Sequence, residues 1–132
     1  MCNFVVTKYI AMQLIVYVFL GGGLGSVVRF LLSKYTTSNF THINPLGTLF
    51  SNLLASIVLA VIIYFVHQKH GLSEPLKVFL VAGFCGGFST FSTFSFETYE
   101  LFKIGLPWHA ILNASISIAL GVLIMFITSK LV

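Results

Sequence analysis

Residues 83–95 read Gly83-Phe84-Cys85-Gly86-Gly87-Phe88-Ser89-Thr90-Phe91-Ser92-Thr93-Phe94-Ser95. Three glycines fall within five residues, each lowering helix stability by up to about 1 kcal/mol relative to alanine, and the hydroxyls that follow compete for backbone carbonyls. The run sits inside an apolar stretch from Pro75 to Phe102, longer than the roughly 20 residues a helix needs to cross hydrocarbon. Together these features predict a helix broken at membrane depth. Broken backbone there is tolerated only where it is buried in protein or lines an aqueous cavity. Its freed carbonyls suit a hard cation, whereas the N-terminus of the resumed half-helix favours an anion. Beyond the break, Phe88, Phe91 and Phe94 recur every third residue, as do Ser89, Ser92 and Ser95. On a continuous helix each stripe drifts by about 60° per step, so a phenylalanine ribbon and a hydroxyl ribbon wind side by side. Ring edges carry positive potential, so a small anion can be met by phenylalanine edges and hydroxyl or amide donors without lysine or arginine. Phenylalanine packing on phenylalanine is the plainer account, and periodicity does not separate the two.

Working outward, three further stretches have the length and composition of spans. The first runs from Met12 to Leu32 and gives way to the polar run Ser33 to Asn44. Pro45 opens the second, which continues from Leu46 to Val66 and stops at His67-Gln68-Lys69-His70-Gly71. Proline suits a helix start, where its missing N–H costs nothing. Trp108 begins the fourth, which ends near Thr128, with its amphipathic ring at interfacial depth. Of the 132 residues 58% are hydrophobic and 8% charged, with mean hydropathy +1.02; a soluble domain carries about 25% charged residues. The fold class is therefore all-α integral membrane, one domain of four transmembrane helices. The first apolar stretch is too long for a signal peptide and lacks a small-residue cleavage pattern, so it is retained as a span. The net charge is +4, but the basic residues are spread singly and form no stripe for a phosphate backbone, which excludes nucleic-acid binding. Cys2 and Cys85 do not make a disulfide framework.

Four spans place Lys8, Lys69, Lys77 and Lys130 on one side, and Arg29, Lys34 and Lys103 on the other. Orientation follows the Lys/Arg difference between sides, and four against three leaves it open. Either translation context fixes one topology, or both orientations insert and pair as an antiparallel dimer. Four helices wall a polar pathway poorly on their own, so association is the cheaper route. Gly21 with Gly25, and Gly83 with Gly87, have the spacing that lets helix backbones approach. That approach serves either dimerisation or packing within one subunit.

Few polar groups sit in the spans. Thr48, Asn52 and Ser56 lie at i, i+4 and i+8, and Asn113 and Ser117 at i and i+4 before Gly121, so each set shares one helical face. Such faces must meet protein or water, and two of them favour a polar track over isolated interhelical hydrogen bonds. Arg29 lies near the far interface, where it snorkels or lines a vestibule. Glu97, near the end of the third span, is placed to brace the Ser/Thr-rich segment.

The stretches Gly21 to Phe30 (GGGLGSVVRF), Pro45 to Asn52 (PLGTLFSN) and Gly83 to Glu97 (GFCGGFSTFSTFSFE) resemble the Fluc, or CrcB, fluoride channel family, and the likeness extends over nearly the whole chain. The last stretch is highly specific; the first alone is weak. The resemblance implies an antiparallel, dual-topology homodimer in the cell inner (plasma) membrane, with a broken third helix in each subunit. It implies two fluoride-selective pores that let fluoride leave passively, and no enzyme activity. By that likeness Asn52 donates to fluoride, and Phe91 and Phe94 make the paired ring contacts along each pore. Thr48, Ser92, Thr93, Asn113 and Ser117 supply the polar track, and Arg29 and Glu97 are entrance or structural groups. The family holds a structural sodium ion at the dimer centre through main-chain carbonyls that map onto Gly86 and Ser89. Threonine is usual at the latter position, but the ligand is a carbonyl, so Ser89 serves. Members start at the position of Met12, which makes residues 1–11 an N-terminal extension and 12–132 the channel domain.

The rival reading is a small multidrug-type transporter, also a four-span dual-topology dimer. Proton-coupled export of that type needs a carboxylate in the first span, and Met12 to Leu32 has none. A non-transport membrane subunit would leave the aligned Asn and Ser/Thr faces without a purpose. His67 and His70 form a lone loop pair rather than a metal set.

Overall fold

The computed structural model describes residues 2–39, 45–67 and 71–132, with side chains described within 11–36, 45–67 and 71–132. Lys69 and His70 therefore lie outside the described residues, as does the side chain of Lys8. All the described elements are helical. Helix α1 spans Cys2–Asn39 and α2 Leu46–His67, while α3 (Glu74–Lys77) runs into a π-helical segment, Val78–Cys85. Helix α4 (Gly86–Phe88), α5 (Phe91–Lys103) and α6 (Pro107–Leu131) complete the chain. Four stretches are long and apolar enough to cross a membrane: Ala11–Thr36, Leu46–His67, Glu74–Lys103 and Pro107–Leu131. The chain is a multi-pass membrane protein.

The spans start and stop where local chemistry directs, with one exception. Pro75 lies in the first turn of α3, after Ser73 in extended conformation. The turn between the third and fourth spans is a Schellman motif. Gly105, at φ 80°, donates to the Phe102 carbonyl at 3.1 Å, and Leu106 donates to the Leu101 carbonyl at 2.9 Å. Pro107 then opens α6, one residue before Trp108. The exception is α1, whose 38 residues extend about 57 Å, well beyond hydrocarbon about 30 Å thick. The expected stop at Ser33 is overridden. No proline interrupts residues 33–39, and the Thr36 hydroxyl donates back to the Leu32 carbonyl, so this polar run stays helical.

Helix α1 packs along the π segment and α4, α2 packs on α6, and α5 also rests on α6. The first of these contacts explains the glycines. A Cβ on Gly21 would lie 2.3 Å from the Phe79 carbonyl oxygen, one on Gly25 2.2 Å from that of Phe84, and one on Gly87 2.4 Å from that of Gly22. The pairs Gly21/Gly25 and Gly83/Gly87 therefore bring α1 against the third span within one subunit, and the dimerisation reading of this spacing gives way to intramolecular packing. The core is made of small groups: Ala55, Ala60, Cys85 and Ala110 are buried, together with Ile62, Phe88 and Leu101. Only 11–22% of the most apolar window of each span is buried, which is the pattern of helices whose outer faces meet lipid tails.

Candidate functional site

The third span changes course at two residues. Ser89 (φ −75°, ψ 154°) and Thr90 (φ −150°, ψ 117°) are extended, and α-helix resumes at Phe91. A continuous helix would aim the Thr90 amide at the Gly86 carbonyl. Here that amide donates to Asn52 Oδ1 at 2.9 Å. Because a backbone N–H can only donate, the atom it meets must be the amide oxygen, and this fixes which way the Asn52 side chain is turned. Its NH2 group, with two donors, is the end left to face away from the backbone.

Thr90 also caps the resumed helix. Its Oγ1 accepts from the Thr93 amide at 3.4 Å and lies 3.2 Å from the hydroxyls of both Ser92 and Thr93, the arrangement of a helix N-cap. The Gly87 carbonyl, also displaced from the regular ladder, accepts from Ser26 Oγ and Arg29 Nε, each at 3.4 Å. Arg29 is half-buried and reaches the third span through this bond. Gly86 and Ser89 line a cleft of about 230 Å³ with Ala55, Ser56 and Cys85, and Gly86 is exposed.

The phenylalanine ribbon does not form as drawn for a continuous helix. Phe88 is 3% exposed and packs on Phe84 with centroids 5.7 Å apart, whereas Phe91 is 80% exposed. The two extended residues turn α5 relative to α4, so the stripe breaks between Phe88 and Phe91. Phe91 and Phe94 remain a pair, with centroids 5.9 Å apart and planes tilted by 37°. The hydroxyl ribbon divides likewise: Ser89 faces the cleft, Ser92 meets Thr90, and Ser95 donates to the Phe91 carbonyl of its own helix at 2.9 Å.

The face of α2 sorts into three roles. Thr48 is buried, Asn52 holds Thr90, and Ser56 donates to the Asn52 carbonyl at 2.9 Å. Glu74 and Glu100 pair with Lys77 and Lys103 at 3.7 and 3.5 Å near the ends of the third span. Glu97 differs. Its Oε2 is buried with no hydrogen-bond partner, as are Asn113 Nδ2 and Ser117 Oγ. Buried polar atoms are nearly always paired; these three belong to α5 and α6, which pack together. A larger groove of about 350 Å³ between α2 and α6 is lined mainly by apolar side chains such as Ile57, Val61 and Ile124, and includes none of these groups.

The sequence profile of a known family, described as "CrcB-like protein, Camphor Resistance (CrcB)", matches residues 16–129. The chain belongs to the CrcB family. This CrcB chain is 37% identical over 115 residues to the fluoride-specific ion channel FluC of Pyrococcus horikoshii, covering 87% of the chain and 92% of the relative. It is 35% identical over 116 residues to the FluC of Flavobacterium psychrophilum (85% and 90% covered), and 40% identical over 116 residues to the fluoride-specific ion channel FluC 2 of Cutibacterium acnes (80% and 94%). Two contributors to this hydrogen-bonded arrangement escaped the sequence reading. Ser26 is masked there by the glycines around it, and Thr90 lies off the every-third-residue count, although a threonine opening a helix is itself a capping signal.

Proposed function

We propose that this CrcB chain is a channel, not an enzyme, and that it lets fluoride pass down its gradient out of the cell through the inner (plasma) membrane. The observation that carries the reading is the hydrogen bond from Thr90 N–H to Asn52 Oδ1. It turns the two amide hydrogens of Asn52 away from the Thr90 backbone, and the pathway in this reading also takes in the half-buried ring of Phe94 and the exposed ring of Phe91. Amide hydrogens and ring edges attract an anion without presenting formal positive charge. Oriented donors replace hydration, and because no cation grips the ion it leaves as readily as it enters, as conduction requires. The names carried by the relatives supply the identity of the anion.

The polar track runs in this reading from Thr48 and Asn52, past Ser92 and Thr93, to Asn113 and Ser117. The unpartnered Asn113 Nδ2 and Ser117 Oγ support it, since both can donate to a passing anion. The working unit is a homodimer of two inverted copies with a third helix broken at its centre. The open cleft at Gly86 and Ser89, walled by Ala55 and Ser56, supports this placement of a second copy, as does the four-to-three division of basic residues. A structural sodium ion fits the same cleft, because the Gly86 carbonyl has lost the Thr90 amide to Asn52 and hard cations take carbonyl oxygens. Carbonyls of Gly86 and Ser89 from both copies would hold it and tie the copies together.

Fluoride-loaded vesicles carrying the protein test the reading. Wild type is expected to release fluoride passively, and Asn52→Asp to abolish release by placing a carboxylate in the anion path. Normal flux through Asn52→Asp would remove Asn52 from the pathway.

A further inference from the structure

The interruption of the third span has two competing hydrogen-bond sets. In the observed one, the Thr90 amide donates to Asn52 Oδ1, while the Gly87 carbonyl accepts from Ser26 Oγ and Arg29 Nε. In the other, a continuous helix, the Thr90 amide returns to the Gly86 carbonyl and the Phe91 amide to the Gly87 carbonyl. Only the first leaves Asn52 oriented. At membrane depth a carbonyl without a donor is costly, so whatever satisfies Gly87 from outside decides between the two. Those donors come from α1, which the Gly87–Gly22 backbone contact holds against this turn.

We propose that Ser26 and Arg29 are positioning residues that clamp the Gly87 carbonyl and so keep the third span open at Ser89 and Thr90, with Asn52 aimed by consequence. The proposal rests on the channel reading. It assigns Arg29 a role that belongs to its Nε–H donor and not to its charge. Glutamine separates the two, because its amide nitrogen is bonded to Cδ as arginine Nε is, so Arg29→Gln keeps a donor in place and removes the charge. Arg29→Met keeps the length of the chain and removes both.

The experiment measures fluoride efflux from vesicles for wild type, Ser26→Ala, Arg29→Gln and Arg29→Met. Each protein is first passed through size exclusion in detergent to confirm that it is folded, and efflux is read at low and high ionic strength. Arg29→Met is expected to lose about tenfold or more of the flux, the effect of leaving a buried carbonyl without this donor. Arg29→Gln is expected to stay within about threefold of wild type at both ionic strengths, since a group acting by contact is insensitive to screening. Ser26→Ala is expected to fall in the same direction as Arg29→Met. Equal losses in Arg29→Gln and Arg29→Met, or wild-type flux in both Arg29→Met and Ser26→Ala, would overturn the clamp. Absence of flux in wild type itself would instead overturn the channel reading.

Discussion

The side chains that bear on function are defined by where their second hydrogen bond goes. Ser51, Ser56, Thr98 and Thr128 spend their hydroxyls on the carbonyl four residues back in their own helices, at 2.8 to 2.9 Å, so they are satisfied and inert. Asn113 and Ser117 are not, and each carries a buried polar atom with no partner. An unsatisfied buried group costs about 1–3 kcal/mol, a loss that selection for stability alone would remove. Asn113→Leu, close in volume, is therefore expected to stabilise the folded protein in detergent by about 1 kcal/mol while lowering fluoride flux. Thermal unfolding and vesicle efflux check this together; lower stability with unchanged flux would make Asn113 an ordinary interhelical bridge. The candidate pair Asn113 and Ser117 was legible from spacing alone. The partner of Asn52 was not, because it depends on a residue 38 positions away that presents its backbone rather than its side chain.

Among the elements, the contact of α1 with the third span sets the frame for the interruption. The glycines at this contact act by omission, since any Cβ would meet backbone that cannot give way. Gly25→Ala would place a Cβ 2.2 Å from the Phe84 carbonyl oxygen and 2.8 Å from the Phe88 amide, and is expected to destabilise by about 3 kcal/mol or more. Gly23→Ala meets nothing within 4 Å, and is expected to be neutral or to stabilise by up to about 1 kcal/mol through helix propensity. The difference between their unfolding temperatures is the measurement. The four spans were legible because hydropathy and proline mark them: Pro45, Pro75 and Pro107 all stand in the first turn of a span or just before it. The length of α1 was not, since polar residues end a span without ending a helix. The glycines pointed to a weak place in the third span, but the extended residues are Ser89 and Thr90. Their dihedrals follow from donors on α1 and an acceptor on α2 that the local sequence does not contain.

For the whole molecule, one copy exposes aromatic and aliphatic side chains along all four spans among the described residues, including Phe19 at 77% and Trp108 at 73%. That surface suits lipid, and it leaves the cleft at Gly86 and Ser89 as the place where small residues and displaced carbonyls meet the outside. If sodium bridges two copies there, purification in a sodium-free, potassium-free buffer is expected to shift the protein from dimer toward monomer on size exclusion, and restoring sodium to reverse the shift; an unchanged dimer would count against the bridge. The central claim is that neutral donors and ring edges, without a fixed cation, conduct a small anion selectively. Its most direct measurement is efflux from vesicles loaded with both halides and read by fluoride and chloride electrodes side by side. Fluoride released passively while chloride stays inside is the expected result; chloride released alongside it, or neither ion released, would contradict the account.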